Sequence, residues 1–199
     1  MQPFFQFISK DKKIQSLVDK IIEKDGEVSI VSSADCLRDL LLILRDDERY
    51  LFKILLDICG VDYPDREKRF EVVYHLLSIE NNLRLRIKVS VDESEFLPSI
   101  NDIYSSANWY EREAWDMYGI LFYGNDDLRR ILTDYGFSGH PMRKDFPLSG
   151  HVEIKYDVEK EKVIYEPVKL VQEYRDFNFQ SPWEGEKYLL PGDEKANKK

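Results

Sequence analysis

The stretch RFEVVYHLLSIENNLRLRIKVSVD, Arg69 to Asp92, decides the fold. Both halves alternate apolar and polar residues with a period of two, the pattern of half-buried strands. Asn81 and Asn82 stand between them, and asparagine tolerates the backbone of a tight turn. In the second half Leu83, Leu85, Ile87, Val89 and Val91 share one face, and Arg84, Arg86 and Lys88 share the other. The first set needs a core; the second faces solvent or a partner.

Upstream, DKKIQSLVDKIIEK places Ile14, Leu17, Val18, Ile21 and Ile22 at helical spacing, with Gly26 as a stop. EVSIVSS reads as a short strand. Ser33 or Asp35 can cap a helix through CLRDLLLILRDD, with Leu37, Leu40, Leu41 and Leu44 on one stripe. YLFKILLDICGVDY, closed by Gly60 and Pro64, is short enough for a strand with flanking turns. A turn begins at Glu93, and Pro98 suits the first position of a helix. The expectation is an α+β fold: a compact two-layer domain over residues 1–122, with a mixed or antiparallel sheet covered by helices on one face.

Residues 123–199 read differently, as a short helix, a Pro-rich loop and a long extended tail. In DDLRRILTDYGF, Asp126 or Asp127 can cap a helix that buries Leu128, Ile131, Leu132 and Tyr135 and ends at Gly136. Beyond it, prolines punctuate a segment rich in aromatics: Tyr156, Tyr165, Tyr174, Phe177, Phe179 and Trp183. Such residues are not what disorder favours. A tail with these residues and no core of its own is expected to lie across a partner's surface, with the terminal GDEKANKK frayed.

Composition narrows the function. A formal charge of −9 argues against nucleic acid and against anionic membrane surfaces as partners. No apolar run approaches the roughly 20 residues of a membrane helix. The N-terminal MQPFFQFISKDKK has neither the pattern of a signal peptide nor that of a transit peptide, so the chain is expected to be made where it works or to have lost a presequence. Two cysteines, Cys36 and Cys59, cannot supply the four thiolates of a usual iron–sulfur cluster, and the three histidines lack zinc spacing. No GxGxxG, P-loop or nucleophile motif occurs.

The densest chemistry lies between Trp109 and Gly150. On a helix, Tyr110, Ala114, Met117, Tyr118 and Leu121 form an apolar face. Arg112 and Asp116 stand four residues apart, where they can pair. Glu111 and Glu113, two apart, diverge and cannot act as a carboxylate dyad. Arg129 and Arg130 offer guanidinium forks to an acidic partner. His140, before Pro141, reads as a structural hydrogen bonder.

EREAWDMYGI, DLRRILTDYGF and GHPMRKDFPLSG together resemble the signature of the 30-kDa subunit family of respiratory complex I (the C subunit in bacteria, the ninth where mitochondrially encoded). LLDICGVDYPDR, RFEVVYHLLS, KYD, EPVKL and SPWE resemble it too, in the expected order, so the likeness spans roughly residues 50–185. DICGVDYP and the short N-terminus are most like mitochondrially encoded members. The chain departs from the family at Asn125–Asp126, where His-Pro is usual, at Met142, where Leu is usual, and at His151, where an aromatic is common. No role for that histidine carries over.

The resemblance implies a non-cofactor-bearing structural core subunit in the peripheral arm of proton-pumping NADH:ubiquinone oxidoreductase. It would sit peripherally at the mitochondrial inner membrane, on the matrix side, membrane-associated only through the complex. Its partners would be the 49-kDa-type subunit and the iron–sulfur subunits of the quinone module, with FMN and the clusters held by partner subunits. No catalytic, cofactor or metal residue is assigned. The signature residues Glu111, Arg112, Glu113, Asp116, Arg129, Arg130, His140, Arg143, Lys144 and Asp145 are expected to serve interface and scaffold. The rivals are the equivalent subunit of a photosynthetic or hydrogenase-type complex, a free-standing enzyme using Glu113, Asp116 and His140, and a general adaptor outside respiration.

Overall fold

A computed structural model describes residues 3–170 and Gln172. The chain divides into two compact units, residues 1–150 and 151–199.

The first unit opens with two short helices, α1 (Pro3–Ile8) and α2 (Lys12–Gln15), followed by strands β1 (Lys20–Lys24) and β2 (Glu27–Ser32). The single helix expected over 11–24 is therefore not formed. Lys20 to Lys24 pair antiparallel with Glu27 to Val31, and Asp25 and Gly26 take φ of 53° and 82° between them. Two consecutive left-handed residues make the hairpin turn for which Asp-Gly is a strong signal, and that local choice outweighs the helical spacing of Ile14 to Ile22.

Helix α3 (Ala34–Asp46) follows, with Leu37, Leu40, Leu41 and Leu44 fully buried as the stripe requires. Ser33 stands at its N-cap, without a side-chain capping bond. Strands β3 (Ile54–Asp62), β4 (Phe70–Ser78) and β5 (Leu83–Val91) form as read, with Asn82 at φ 50° in the turn. The five strands make one sheet in the order β1-β2-β5-β4-β3, parallel between β2 and β5 and antiparallel elsewhere, hence mixed. One face carries Ile30, Ile58, Val72, Tyr74 and Ile87 into the core beneath α3.

Pro98 does not start a helix. It ends strand β6 (Phe96–Pro98), which pairs parallel with β7 (Leu121–Tyr123) in a separate two-stranded sheet. Proline is tolerated at such an edge because its missing donor is not needed. Helix α4 (Ala107–Tyr118) lies between these strands in sequence and packs on β3. Gly60 of β3 makes this approach possible: a Cβ there would sit 2.6 Å from the Tyr118 ring.

The second unit holds a hairpin of β8 (Val152–Asp157) and β9 (Lys162–Pro167), periodic where the sequence offered no obvious period. Its register places Ile154 opposite Tyr165 and Tyr156 opposite Val163. Tyr174, Phe177, Phe179, Trp183 and the terminal GDEKANKK lie outside the described residues.

Candidate functional site

Helix α4 inverts the expected division of its faces. Its buried residues are Ala107, Glu111, Arg112, Ala114 and Asp116, while Trp109 is exposed. Leu121 is not on the helix at all but begins β7. Three charged side chains have thus been taken from water, which demands full hydrogen bonding. Each finds its partners in the backbone of the loop over 125–143 or in residues beside it, not along the helix.

Asp116 is the clearest case, and it does not pair with Arg112. One oxygen, Oδ2, accepts from the backbone N–H groups of Ile131, Leu132 and Thr133 at 3.0, 2.8 and 3.0 Å. The other accepts from the Thr133 hydroxyl at 2.6 Å and from Arg130 Nη1 at 2.7 Å. Burial alone would raise its pKa. The bonds from Thr133, Arg130 and the amides outweigh burial and hold the carboxyl well below the ordinary range. Arg112 turns the other way, donating to the carbonyls of Arg129 and Arg130 at 3.1 and 3.0 Å.

This geometry explains why DDLRRILTDYGF is not a helix. The amides that a helix would bond internally are drawn onto Asp116, and the carbonyls of Arg129 and Arg130 onto Arg112. Leu132 and Tyr135, expected to be buried, are exposed. Gly136 is not in the left-handed region, which Gly139 adopts instead at φ 104°.

The GHPMR segment caps the other end of α4. Gly119, at φ 78°, ends the helix and donates to the Trp115 carbonyl at 2.7 Å. The next three carbonyls are met by the loop: His140 Nδ1 reaches Asp116 O at 3.0 Å, Met142 N reaches Met117 O at 3.0 Å, and Arg143 Nε reaches Tyr118 O at 2.6 Å. A ring nitrogen facing a carbonyl must carry the hydrogen, so His140 is protonated on Nδ1. Burial, with Arg143 and Arg130 nearby, lowers its pKa and keeps the ring neutral. Arg143 also places a positive charge at the helix C-terminus, where the dipole favours it. A side chain at position 119 would collide with Arg143 and His140, at 2.6 and 2.7 Å from its Cβ.

A third anchor ties the loop to the sheet. The Asp62 side chain is fully buried and accepts from Arg69 Nε and Nη2 at 2.7 and 2.9 Å and from Lys144 N at 2.7 Å. Arg69 also reaches Asp145 at 2.9 Å and pairs with Glu93. Of the ten signature residues, Glu113, Arg129, Lys144 and Asp145 are exposed, and the other six are buried or half-buried. Arg129 pairs with Asp127 at 2.6 Å and donates to Tyr135. Among the described residues no group of three or more His, Cys, Asp and Glu side chains could hold a metal ion, and no helix is long and apolar enough to cross a membrane.

Residues 30–152 match the family model described as "Respiratory-chain NADH dehydrogenase, 30 Kd subunit". The chain belongs to this family. It is 59% identical over 172 residues to the NADH-quinone oxidoreductase C subunit of Methylobacterium radiotolerans, covering 86% of this chain and 80% of that one. It is 56% identical to the protein of the same name from Paramagnetospirillum magneticum, covering 92% of each. These relatives are subunits of an oxidoreductase complex. Among solved structures it resembles a chain of the membrane-bound sulfane sulfur reductase, an archaeal respiratory membrane complex, at TM-score 0.61 and 28% identity, over 74% of this chain and 87% of that one.

Two further residues, neither of them among the ten signature residues, complete the site. Asn125, which stands in place of the family's usual histidine, donates to Glu111 at 2.8 Å and accepts from Asp127 N at 3.0 Å. Ser99 donates to the same carboxyl at 2.7 Å, and Ile100 N does so at 2.8 Å. Glu111 is fully buried, and these three neutral donors are its hydrogen-bond partners. Burial raises its pKa despite those bonds. A carboxyl whose pKa is raised on folding stabilises the fold most when protonated, and the stabilisation falls as pH rises through the folded value. Glu111→Gln is therefore expected to cost about 1 kcal/mol or less at neutral pH, and more in mild acid, in urea unfolding of the full chain. A loss of several kcal/mol at neutral pH would show that the ionised form is the stabilising one.

Proposed function

We propose that this chain is a cofactor-free structural subunit in the peripheral arm of a proton-pumping NADH:quinone oxidoreductase. It holds the 49-kDa-type subunit and the iron–sulfur subunits that build the quinone site; FMN and clusters belong to those partners. The observation that carries the reading is the hairpin of the second unit. Its register puts Val152, Ile154, Tyr156, Val163, Tyr165 and Pro167 on one face, and the five described large hydrophobics among them are all more than half exposed. A lone two-stranded ribbon is marginal in water. An apolar, tyrosine-bearing face on such a ribbon suits a partner's surface, and family membership supplies that partner. The exposed signature residues Glu113, Arg129, Lys144 and Asp145 are assigned to contact, and the buried ones to shaping the loop that presents them.

The mitochondrial placement implied by resemblance has no support in the relatives, which are bacterial. The reading is therefore of a peripheral subunit of a membrane-bound respiratory complex. The equivalent subunit of a complex with another electron donor is the weaker reading, since that likeness stands at 28% identity against 59%.

Tyr156→Asp combined with Tyr165→Asp tests the proposal in the native host. Aromatic anchors in an interface are each worth about 2 kcal/mol, so assembled complex should fall about tenfold or more. Turnover per assembled complex should be unchanged, and the purified wild-type chain should contain neither stoichiometric flavin nor iron. Normal assembly with abolished turnover, or flavin in the isolated chain, would overturn it.

A further inference from the structure

The five-stranded sheet has a second face. Helices α3 and α4 pack on the face that carries Ile30, Ile58, Val72, Tyr74 and Ile87. The opposite face presents Arg84, Arg86 and Lys88 from β5, His75 and Glu71 from β4, and Ser29 and Glu27 from β2. Among the strand residues that share this face, the cations Lys20, Lys24, Arg84, Arg86 and Lys88 outnumber the carboxylates Glu27, Asp57 and Glu71, on a chain whose formal charge is −9.

The cations are arranged, not scattered. Arg86 is held by Glu27 at 2.6 Å and Lys88 by Glu71 at 2.9 Å, which fixes their direction. Arg84 and Lys24 have no carboxylate within ion-pair distance among the described residues. Two clefts flank Arg86. One, of about 290 Å³, is lined by Glu27, His75, Asn82, Arg84 and Arg86 with Leu56 among its apolar residues. The other, of about 380 Å³, is lined by Lys24, Arg86 and Lys88, by the carboxylates Asp25 and Glu27, and by Ser29 and Ile22. Alternate residues of a strand lie about 7 Å apart on one face. Arg84, Arg86 and Lys88 thus form a row of cations at that repeat.

We infer that this open face binds an extended acidic polypeptide segment, one with a carboxylate at every second residue. Such a segment repeats its charges at the same interval as the row, so one carboxylate meets the unpaired Arg84 while the next two share Arg86 and Lys88 with Glu27 and Glu71. A single phosphate spans only one step of the row, and a nucleic acid would face the net charge of the whole chain. The inference does not rest on the hairpin or on membership of a respiratory complex.

The test uses the ¹⁵N-labelled full chain and the peptide acetyl-Ser-Glu-Ser-Glu-Ser-Glu-Ser-amide, against an isomer with its three glutamates consecutive. The alternating peptide should shift amides of β5 and of the β1–β2 hairpin. It should bind about fivefold or more tightly than the isomer, the gain expected from aligning two or three exposed ion pairs. Arg84→Gln with Lys24→Gln should remove that preference while leaving the unfolding midpoint unchanged, since neither side chain is ion-paired. Equal binding of both peptides would overturn the inference, as would shifts confined to other surfaces or an undiminished preference in the double variant. Displacement by an equal concentration of inorganic phosphate would also overturn it.

Discussion

Asp116→Asn is expected to cost about 3–5 kcal/mol of folding stability at neutral pH, because it leaves the half-buried Arg130 without its counter-charge. The three backbone N–H groups all bond to Oδ2, so an amide that keeps its oxygen there turns its NH2, a donor, toward Arg130. Arg130 is further committed to the Gly139 carbonyl and to the faces of Trp115 and Phe137, so it cannot swing into solvent without opening the loop. The sign of the pH dependence follows from the depressed pKa. The Asp116 contribution is complete above its ordinary value of 3.8 and is lost as pH falls through the lower folded value. Urea unfolding of wild type and variant should therefore diverge at pH 7 and converge in strong acid. Hydrogen exchange should speed at the Ile131, Leu132 and Thr133 amides. A variant within about 1 kcal/mol of wild type at pH 7 would show that the loop is held by other contacts.

Asp116 and Glu111 lie on one helix, five residues apart and both buried, yet their pKa values move in opposite directions. Burial penalises both. Asp116 has a guanidinium and three amides, and Glu111 has three neutral donors. The expected consequence is a crossed pair of pH profiles: the cost of Asp116→Asn grows as pH rises and the cost of Glu111→Gln shrinks. A single measurement series on the two variants therefore separates charge pairing from neutral hydrogen bonding as the source of loop order.

The sequence made the sheet and α3 legible because both are governed by local periodicity. Leu83 to Val91 alternates and is a strand; Leu37 to Leu44 repeats at helical spacing and is a buried stripe. The failures share one cause, in which a nearby pattern is overridden by a partner elsewhere. Ile21 and Ile22 fit a helix until Asp25–Gly26 folds them onto Val28 to Ile30. Arg112 and Asp116 fit an i,i+4 pair until each is offered loop backbone 15 to 18 residues away. The candidate site was legible as a list of residue types and as a family likeness. Its wiring was not, because a side chain bonding to main chain leaves no signature in the identity of its partner. Asn125 illustrates the point. It read only as a departure from the family pattern, yet it joins Glu111 to the start of the loop.

The same wiring makes Arg69 the other position where one substitution should have a large effect. Arg69→Met is expected to destabilise the chain by about 3–5 kcal/mol, because Asp62 is then a buried charge whose one remaining hydrogen-bond donor is the Lys144 amide. The Arg69 guanidinium carbon also lies 5.2 Å from the centre of the Phe70 ring, a cation–π contact that methionine removes as well. The effect should spread. Asp62 and Arg69 belong to β3 and to the lead into β4, while Lys144 and Asp145 belong to the loop that caps α4. Releasing that end frees Arg143, and with it the donor to the Tyr118 carbonyl. Asp62 has a depressed pKa, caused first by the Arg69 bonds. Its stabilising contribution is therefore present above the ordinary carboxylate value and is lost as pH falls through the folded one. Adding Asp62→Asn to Arg69→Met removes the stranded charge, so the double variant should recover part of the loss, and the shortfall measures the pair itself. If the double variant is no more stable than Arg69→Met alone, the cost lies in Glu93 and Asp145, and the sheet-to-loop tie runs through the exposed carboxylates instead.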